Sequence, residues 1–211
     1  MEPSFWKQRW ENNEIAFHQD DVHPLLAKNF DQLHLEQNSR IFVPLCGKTV
    51  DIAWFMAKGF RIVGVELVQT AIEQLFEELD VKPEIETIGG LLKYKANGIE
   101  IFVGDIFELD IGLLGNVDAI YDRAALNALP ENIRNKYAKH LIDISECAQQ
   151  LLICIEYDQS LMQGPPFSIS EEAVKEYYLD TYKTDLIDTV KLAGRFEDVC
   201  AIENVWLLTR T

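Results

Sequence analysis

Two apolar runs separated by one helical segment constrain the fold of this chain more than any other feature. The first apolar run, residues 40–45, includes Pro44 and is followed by Gly47. A helical pattern covers residues 50–58, and the second apolar run ends on Glu66. This order predicts a strand, a turn, a helix and a parallel second strand, the unit of α/β sheets. Such sheets bind ligands beyond the carboxyl ends of their strands. An acid about 20 residues past the turn is the usual partner of ribose hydroxyls.

The turn also resembles the end of a phosphate-binding loop, because Gly47, Lys48 and Thr49 follow one another. That motif requires glycine where Phe42 stands, and Pro44 lacks a backbone N–H for a phosphate. The fingerprint Gly-x-Gly-x-x-Gly of dinucleotide-binding turns is missing from the sequence as well. Two interpretations of the turn stay open at this point: a nucleotide-type ligand, or an ordinary connection without one.

Composition excludes several classes of partner. A net charge of -16 over 211 residues repels phosphate backbones, so we expect no nucleic-acid partner. No apolar run approaches the length of a membrane span and no secretory signal pattern opens the sequence, so we expect a cytoplasmic protein without a membrane contact. The four cysteines are scattered, and the four histidines lack metal-ligand spacing, so we expect no metal site.

Strand and helix patterns alternate along the rest of the chain. Asn97-Gly98 predicts a hairpin, and the segments after residue 182 favour an antiparallel end. The pattern favours one doubly wound α/β domain over residues 1–211. Residues 1–39 precede the first core strand and carry Trp6, Trp10 and Phe17. Two interpretations of this helical segment stay open: a plug for one end of the core, or a lid over the ligand crevice.

Acidic side chains recur where predicted strands end. They are Glu66, Asp105, Asp122 and Glu156, and one cation, Arg123, follows Asp122 directly. Any one of them is compatible with a solvated charge or a helix cap. Several at one edge of a sheet favour a polar pocket there.

Six short motifs resemble the thiopurine S-methyltransferase family, and its bacterial branch most closely. They are Phe5-Trp6-x-x-x-Trp10, Ala16-Phe17-His18-Gln19, Val43-Pro44-Leu45-Cys46-Gly47-Lys48, Gly64-Val65-Glu66-Leu67, Tyr121-Asp122-Arg123-Ala124-Ala125-Leu126 and Gly164-Pro165-Pro166-Phe167. The resemblance runs from residue 4 to the C-terminus. It implies a class I methyltransferase, Rossmann-like, with a mostly parallel seven-stranded sheet, an antiparallel last strand and an N-terminal helical lid. It also implies S-adenosylmethionine as the cofactor.

Cofactor contacts are implied by the resemblance for a set of residues in the turns and the N-terminal segment. The set is Trp10, Leu45, Glu66, Asp105, Ile106 and Arg123. Within it, Trp10 would pack on the cofactor, Glu66 would bind the ribose hydroxyls, and Asp105 and Ile106 would border the adenine. Arg123 would lie near the methionine carboxylate or near the methyl acceptor.

For the acceptor, the resemblance implies contacts from Phe17, with His18 beside it as the one nearby titratable group. Arg195 is a doubtful counterpart of a basic residue that contacts substrate, because residues 192–203 are shorter than the family pattern. We expect a small aromatic or heterocyclic thiol as acceptor, with Arg123 stabilising its thiolate. The alternative acceptors on the same fold are a halide, thiocyanate, or a selenium or tellurium species. A different class is a sensor that binds the cofactor without turnover. We expect a monomer.

Overall fold

The structure is a computed structural model that describes residues 3–192 and 199–211. Arg195 lies outside the described residues. The contacts divide the chain into two compact units. Of the described residues, 3–24 and 35–118 belong to the first unit, and 25–34, 119–192 and 199–211 belong to the second. The prediction of a single domain stays a prediction.

Helices and strands alternate through most of the described chain, as the sequence pattern predicts. The strands are β1 (Arg40–Pro44), β2 (Arg61–Glu66), β3 (Glu84–Ile88), β4 (Leu91–Ala96), β5 (Ile99–Val103), β6 (Ala119–Arg123), β7 (Gln149–Glu156), β8 (Tyr182–Leu192) and β9 (Ala201–Arg210). The helices are α1 (Pro3–Glu11), α2 (Pro24–Asn29), α3 (Asp51–Ala57), α4 (Gln69–Glu78), α5 (Ile111–Leu114), α6 (Ala125–Ala128), α7 (Glu131–Ile144) and α8 (Glu171–Tyr178).

In the first unit the strand order is β3-β4-β5-β2-β1. The pairs β1–β2 and β2–β5 are parallel, and β3–β4 and β4–β5 are antiparallel. β1 and β2 are almost wholly buried, which suits continuous apolar strands covered on both faces. The predicted sequence of strand, turn, helix and parallel strand is therefore confirmed, with Glu66 as the last residue of β2.

In the second unit the strand order is β6-β7-β9-β8. β6 and β7 are parallel, whereas β9 runs antiparallel to both β7 and β8. The predicted antiparallel last strand is confirmed. The core of the second unit contains large side chains that are almost completely buried, among them Trp206, Tyr121 and Tyr137. Burial of one large apolar side chain contributes about 1.5–3 kcal/mol, so these residues dominate the stability of the unit.

The described residues form nine strands, where the resemblance implied a sheet of seven. One strand that the sequence pattern did not predict is β3, whose five residues are all exposed. It pairs with β4 across Gly89-Gly90, and both glycines have positive φ, as a tight hairpin turn requires. An exposed edge strand has no buried face, so its sequence lacks the apolar alternation that reveals other strands.

None of the helices in the described part of the chain combines the length and the apolar character that a membrane span requires.

Candidate active site

The turn between β1 and α3 has an unusual backbone. Leu45 and Gly47 both adopt positive φ, 46° and 51°. A left-handed conformation costs a residue with a Cβ about 1–2 kcal/mol, and such strain concentrates at ligand sites. The backbone N–H of Cys46 donates to the carbonyl of Val65 at 3.1 Å. This bond ties the turn to β2 and keeps the strained conformation in place.

Glu66 connects two turns through its carboxylate. Its Oε2 accepts a hydrogen bond from the backbone N–H of Gly47 at 2.9 Å, and its Oε1 accepts one from Val68 at 2.9 Å. The side chain is 7% exposed. Burial raises its pKa, and the backbone N–H groups of Val68, Gly47 and Leu67 oppose that rise. Each carboxylate oxygen has a second lone pair, so Glu66 can also accept from a pair of ligand hydroxyls.

Trp10 packs directly on this turn. A Cβ at Gly47 would lie 3.2 Å from Cζ2 of the Trp10 ring, so glycine allows the close approach. Trp10 is 6% exposed and belongs to an apolar cluster with Val68 and Ala71, against which Phe17 also packs. The Trp10 and Phe17 rings meet edge to face at 5.8 Å. The structure thus brings Trp10, Gly47 and Phe17 together.

His18 follows Phe17 in the same segment. Its backbone N–H donates to the carbonyl of Ile15 at 2.7 Å, which closes a local turn. Its Nε2 lies 4.0 Å from Oδ1 of Asp20, and the His18 side chain is largely buried. This arrangement places His18 beside the aromatic cluster, and its proposed contact with the acceptor stays a prediction.

A third turn follows β5. The N–H of Gly104 donates to the Glu66 carbonyl at 2.9 Å, which joins this turn to the end of β2. Oδ1 of Asp105 accepts from the N–H of Phe107 at 3.0 Å, so Asp105 caps the short 3-10 helix Ile106–Glu108. Ile106 is buried and Asp105 is exposed. Both residues directly follow β5, at the carboxyl edge of the first unit's sheet, and their contact with a ligand stays a prediction.

Lys48 makes a different contact from the one that a phosphate loop requires. Its Nζ pairs with Oε1 of Glu78 on α4 at 2.6 Å. A lysine committed to a carboxylate of its own chain is a poor phosphate ligand. The geometry agrees with the argument from Phe42 and Pro44 against a phosphate-binding loop.

Arg123 ends β6 in the second unit and is partly exposed. The residue before it, Asp122, has 0% exposure, and its Oδ2 accepts from the hydroxyl of Tyr137 at 2.7 Å. Burial raises the pKa of Asp122 to about 6, against hydrogen bonds from Tyr137 and from the N–H groups of Leu126 and Ala125. Asp122 is therefore fully buried, and the hydroxyl of Tyr137 is the side-chain donor to its carboxylate.

Asn127 is a residue that the sequence analysis missed. Its Nδ2 donates to the carbonyls of Ile155 at 2.8 Å and Phe167 at 2.6 Å, and its Oδ1 accepts from the N–H of Ile155 at 3.1 Å. The N–H of Phe167 donates to the Asn127 carbonyl at 2.7 Å. One amide side chain thus fastens the loop at residues 164–167 to β7. A buried asparagine just after the Arg123 motif was the available signal.

Comparison with known proteins gives consistent results. A family model described as thiopurine S-methyltransferase matches residues 1–211. The chain is 48% identical over 212 residues to a thiopurine S-methyltransferase of Xanthobacter autotrophicus, with 100% of both chains covered. It is 44% identical over 211 residues to one of Teredinibacter turnerae, which covers 100% of this chain and 98% of the relative.

Among solved structures, similarity extends to a Burkholderia thailandensis methyltransferase. That crystal structure is of 1,6-didemethyltoxoflavin-N1-methyltransferase with bound 1,6-didemethyltoxoflavin and S-adenosylhomocysteine. It aligns with a TM-score of 0.69 at 13% identity, over 99% of this chain and 87% of that chain. At this identity the likeness concerns the fold, and it confirms the doubly wound α/β class predicted from the sequence.

Proposed function

We propose, from the premise that this chain belongs to the thiopurine S-methyltransferase family, that it methylates the sulfur of a small aromatic or heterocyclic thiol. Membership makes the chain an S-adenosylmethionine-dependent methyltransferase of the class I fold. The identity of the acceptor, and of its sulfur as the methylated atom, is the proposed part.

The observation that carries the proposal is the Glu66 carboxylate between the two turns. It is buried, preorganised by the N–H groups of Gly47 and Val68, and still able to accept from two hydroxyls. The ribose of S-adenosylmethionine presents two neighbouring hydroxyls, so Glu66 fits this cofactor. Trp10, Leu45, Asp105 and Ile106 lie in the same unit at the turns around it, and we propose that they complete the cofactor site.

When bound, the cofactor supplies a methyl group on a positively charged sulfur. The thiolate sulfur forms the new bond to that carbon with its lone pair, the carbon–sulfonium bond breaks, and S-adenosylhomocysteine leaves. The thiol proton goes to solvent before the transfer. An aromatic thiol that ionises near neutral pH needs no strong base, so the chain's task is to orient the thiolate and stabilise its charge. We assign the second role to Arg123, whose guanidinium stays charged, and acceptor contacts to Phe17, His18 and Arg195.

A screen of methyl acceptors tests the function. Purified protein is incubated with methyl-labelled S-adenosylmethionine and, separately, with aromatic thiols, iodide, thiocyanate, selenite and tellurite. We expect label on the aromatic thiols at rates well above those of the inorganic acceptors. Faster labelling of an inorganic species would assign the acceptor to that class. Cofactor binding by calorimetry without turnover of any acceptor would make the chain a sensor.

The cofactor site is tested by Glu66→Ala. This change removes the acceptor of the ribose hydroxyls and should weaken S-adenosylhomocysteine binding by about 1.5–3 kcal/mol, the scale of a hydrogen bond to a charged group. Calorimetry measures the affinity, and circular dichroism checks the fold. Glu77→Ala is the matched control, because Glu77 is an exposed acid of α4 in the same unit. Equal affinities of both variants, with intact folds, would contradict the assignment of Glu66.

The N-terminal segment is proposed to act as a lid over the cofactor. Trp10 contacts Gly47, so a ligand at that turn would be enclosed by the segment that carries Trp10 and Phe17. Hydrogen exchange of the amides in residues 4–20 should therefore slow when S-adenosylhomocysteine is added. Amides of β9 provide the internal reference. Exchange in residues 4–20 that is the same with and without ligand would leave the plug interpretation.

A further inference from the structure

Asp122 and Arg123 stand on opposite sides of β6. Side chains alternate across a strand, and here Asp122 is fully buried while Arg123 is partly exposed. Neighbouring residues share one peptide plane, so an anchor on the Asp122 side chain restrains the backbone that carries Arg123. The position of the guanidinium depends in part on what holds Asp122.

The Asp122 side chain is anchored on the residue directly before Arg123. The hydroxyl of Tyr137, on α7, donates to its Oδ2 at 2.7 Å. The backbone N–H groups of Leu126 and Ala125, in the first turn of α6, lower the pKa of this carboxylate, while its Oδ1 has no hydrogen-bond partner in the described part of the chain. The Tyr137 hydrogen bond therefore connects the end of β6 to α7. Only Arg123 and Ala124 lie between its own residue and α6.

The backbone next to Arg123 is strained. Ala124 has a φ of 59°, and its N–H donates to the carbonyl of Ile153 on β7 at 3.0 Å. A left-handed alanine costs about 1–2 kcal/mol and persists only where the surroundings impose it. The Asp122 carboxylate is one of these surroundings, because its bond to Tyr137 fixes the strand end two residues before Ala124.

Burying a carboxylate costs free energy of folding. Desolvation costs free energy that a neutral side chain of similar shape avoids, so a carboxylate in a core suggests a role other than stability. The groups that face Asp122 are the hydroxyls of Tyr137 on α7 and Tyr178 on α8 and the thiol of Cys154 on β7. Of these, the hydroxyl of Tyr137 donates a hydrogen bond to it. Tyr137 is therefore the partner through which the anchor can be changed selectively.

We propose that the Asp122–Tyr137 hydrogen bond is a positioning device that holds Arg123 in the orientation required by the acceptor step. Asp122 and Tyr137 act through Arg123 and touch no reacting atom in this proposal. The proposal rests on the role assigned to Arg123 in the proposed function. Two measurements distinguish a failure of the positioning role from a failure of the proposed function. One of them needs no methyl acceptor.

The first measurement is the mobility of the Arg123 side chain by nitrogen-15 relaxation of its Nε–H group. The signal is assigned by its loss in Arg123→Lys. Tyr137→Phe removes the hydroxyl that holds Asp122 and should lower the order parameter of the Arg123 Nε–H. Tyr178→Phe is the matched control: it makes the same chemical change in the same core, and the Tyr178 hydroxyl has no hydrogen-bond partner in the described chain. It should leave the order parameter unchanged.

The second measurement is a double-mutant cycle on turnover with an aromatic thiol at saturating cofactor. Tyr137→Phe should lower kcat about tenfold in the wild-type background, the scale of one hydrogen bond to a charged group. In the Arg123→Ala background it should lower kcat less than about twofold, because the residue through which it acts is gone. Asp122→Asn keeps the size of the side chain and serves as the second variant if Tyr137→Phe does not fold.

The outcomes separate the two ideas. Loss of Arg123 order together with a non-additive cycle supports the positioning role. Equal kcat losses in both backgrounds, equal effects of Tyr137→Phe and Tyr178→Phe, or an unchanged order parameter overturn it. If the wild-type protein methylates no thiol, the proposed function fails, and the order parameter alone decides whether Asp122 and Tyr137 position Arg123.

Discussion

Arg123→Ala should lower the turnover of aromatic thiols by about 10²–10³-fold at saturating cofactor, the scale of one lost donor to a developing or resident anion. A neutral thiol gains little from a guanidinium, whereas a thiolate gains much, so the loss should be larger for acceptors of higher thiol pKa. A series of aromatic thiols of graded acidity, assayed at one pH in wild type and variant, measures this dependence. Arg123→Lys keeps the charge but not the planar fork and should recover part of the activity.

Arg210→Ala is the matched control for this experiment, because Arg210 is an exposed arginine at the end of β9. Its turnover should equal that of the wild type. A defect of Arg123→Ala that does not depend on thiol pKa, with an equal loss of cofactor affinity, would assign Arg123 to the cofactor carboxylate instead.

Asp122→Asn should remove the contribution of one buried carboxyl to the pH dependence of stability between pH 4 and pH 7. The pKa of Asp122 is about 6 in the folded protein against an ordinary 3.8, so the folded state holds a proton that the unfolded state has released. Its stabilising contribution is complete below pH 3.8 and is lost as pH rises through 6. At about 1.4 kcal/mol per pKa unit, the loss is about 3 kcal/mol.

Urea unfolding of both proteins at pH 4 and pH 7 tests this. The unfolding free energy of Asp122→Asn minus that of the wild type should rise by about 2.4 kcal/mol over the interval, since part of the full effect lies below pH 4. Tyr137→Phe is the comparison, since it keeps the Asp122 carboxyl and removes its hydrogen-bond donor. A flat difference for Asp122→Asn would mean that the buried carboxyl titrates at its ordinary pKa. A variant that is relatively more stable at pH 7 and yet less active would separate positioning from stability.

The part of the site that the sequence predicts well is the Glu66 end of β2. Its neighbours, residues 62–65, form an apolar run that only a strand covered on both faces satisfies, and the run leaves Glu66 at the strand's carboxyl end. Gly47 marks the turn for an equally local reason, since its positive φ favours a residue without a side chain. Local periodicity and turn chemistry suffice for both.

Other contacts could not be predicted, because they depend on which side of an element a polar residue faces. The position of Asp122 at a strand end favoured a polar pocket. Its hydrogen-bond partner in the structure is Tyr137, 15 residues later in the chain. Asn127 bonds Ile155 and Phe167, 28 and 40 residues away. Sequence spacing does not encode such pairs. Strand β3 was not predicted for a different reason: all of its residues are exposed, so its sequence shows no hydrophobic periodicity.

A lid that carries Trp10 over Gly47, as proposed above, would limit the rate of cofactor association. A cofactor that reaches this turn must pass the indole, so binding would require the N-terminal segment to open first. The net rate of complex formation should then approach the opening rate as an upper limit at high cofactor concentration. Trp10→Ala should raise that limit and speed release as well. Stopped-flow fluorescence of the tryptophans would record both rates in a single experiment.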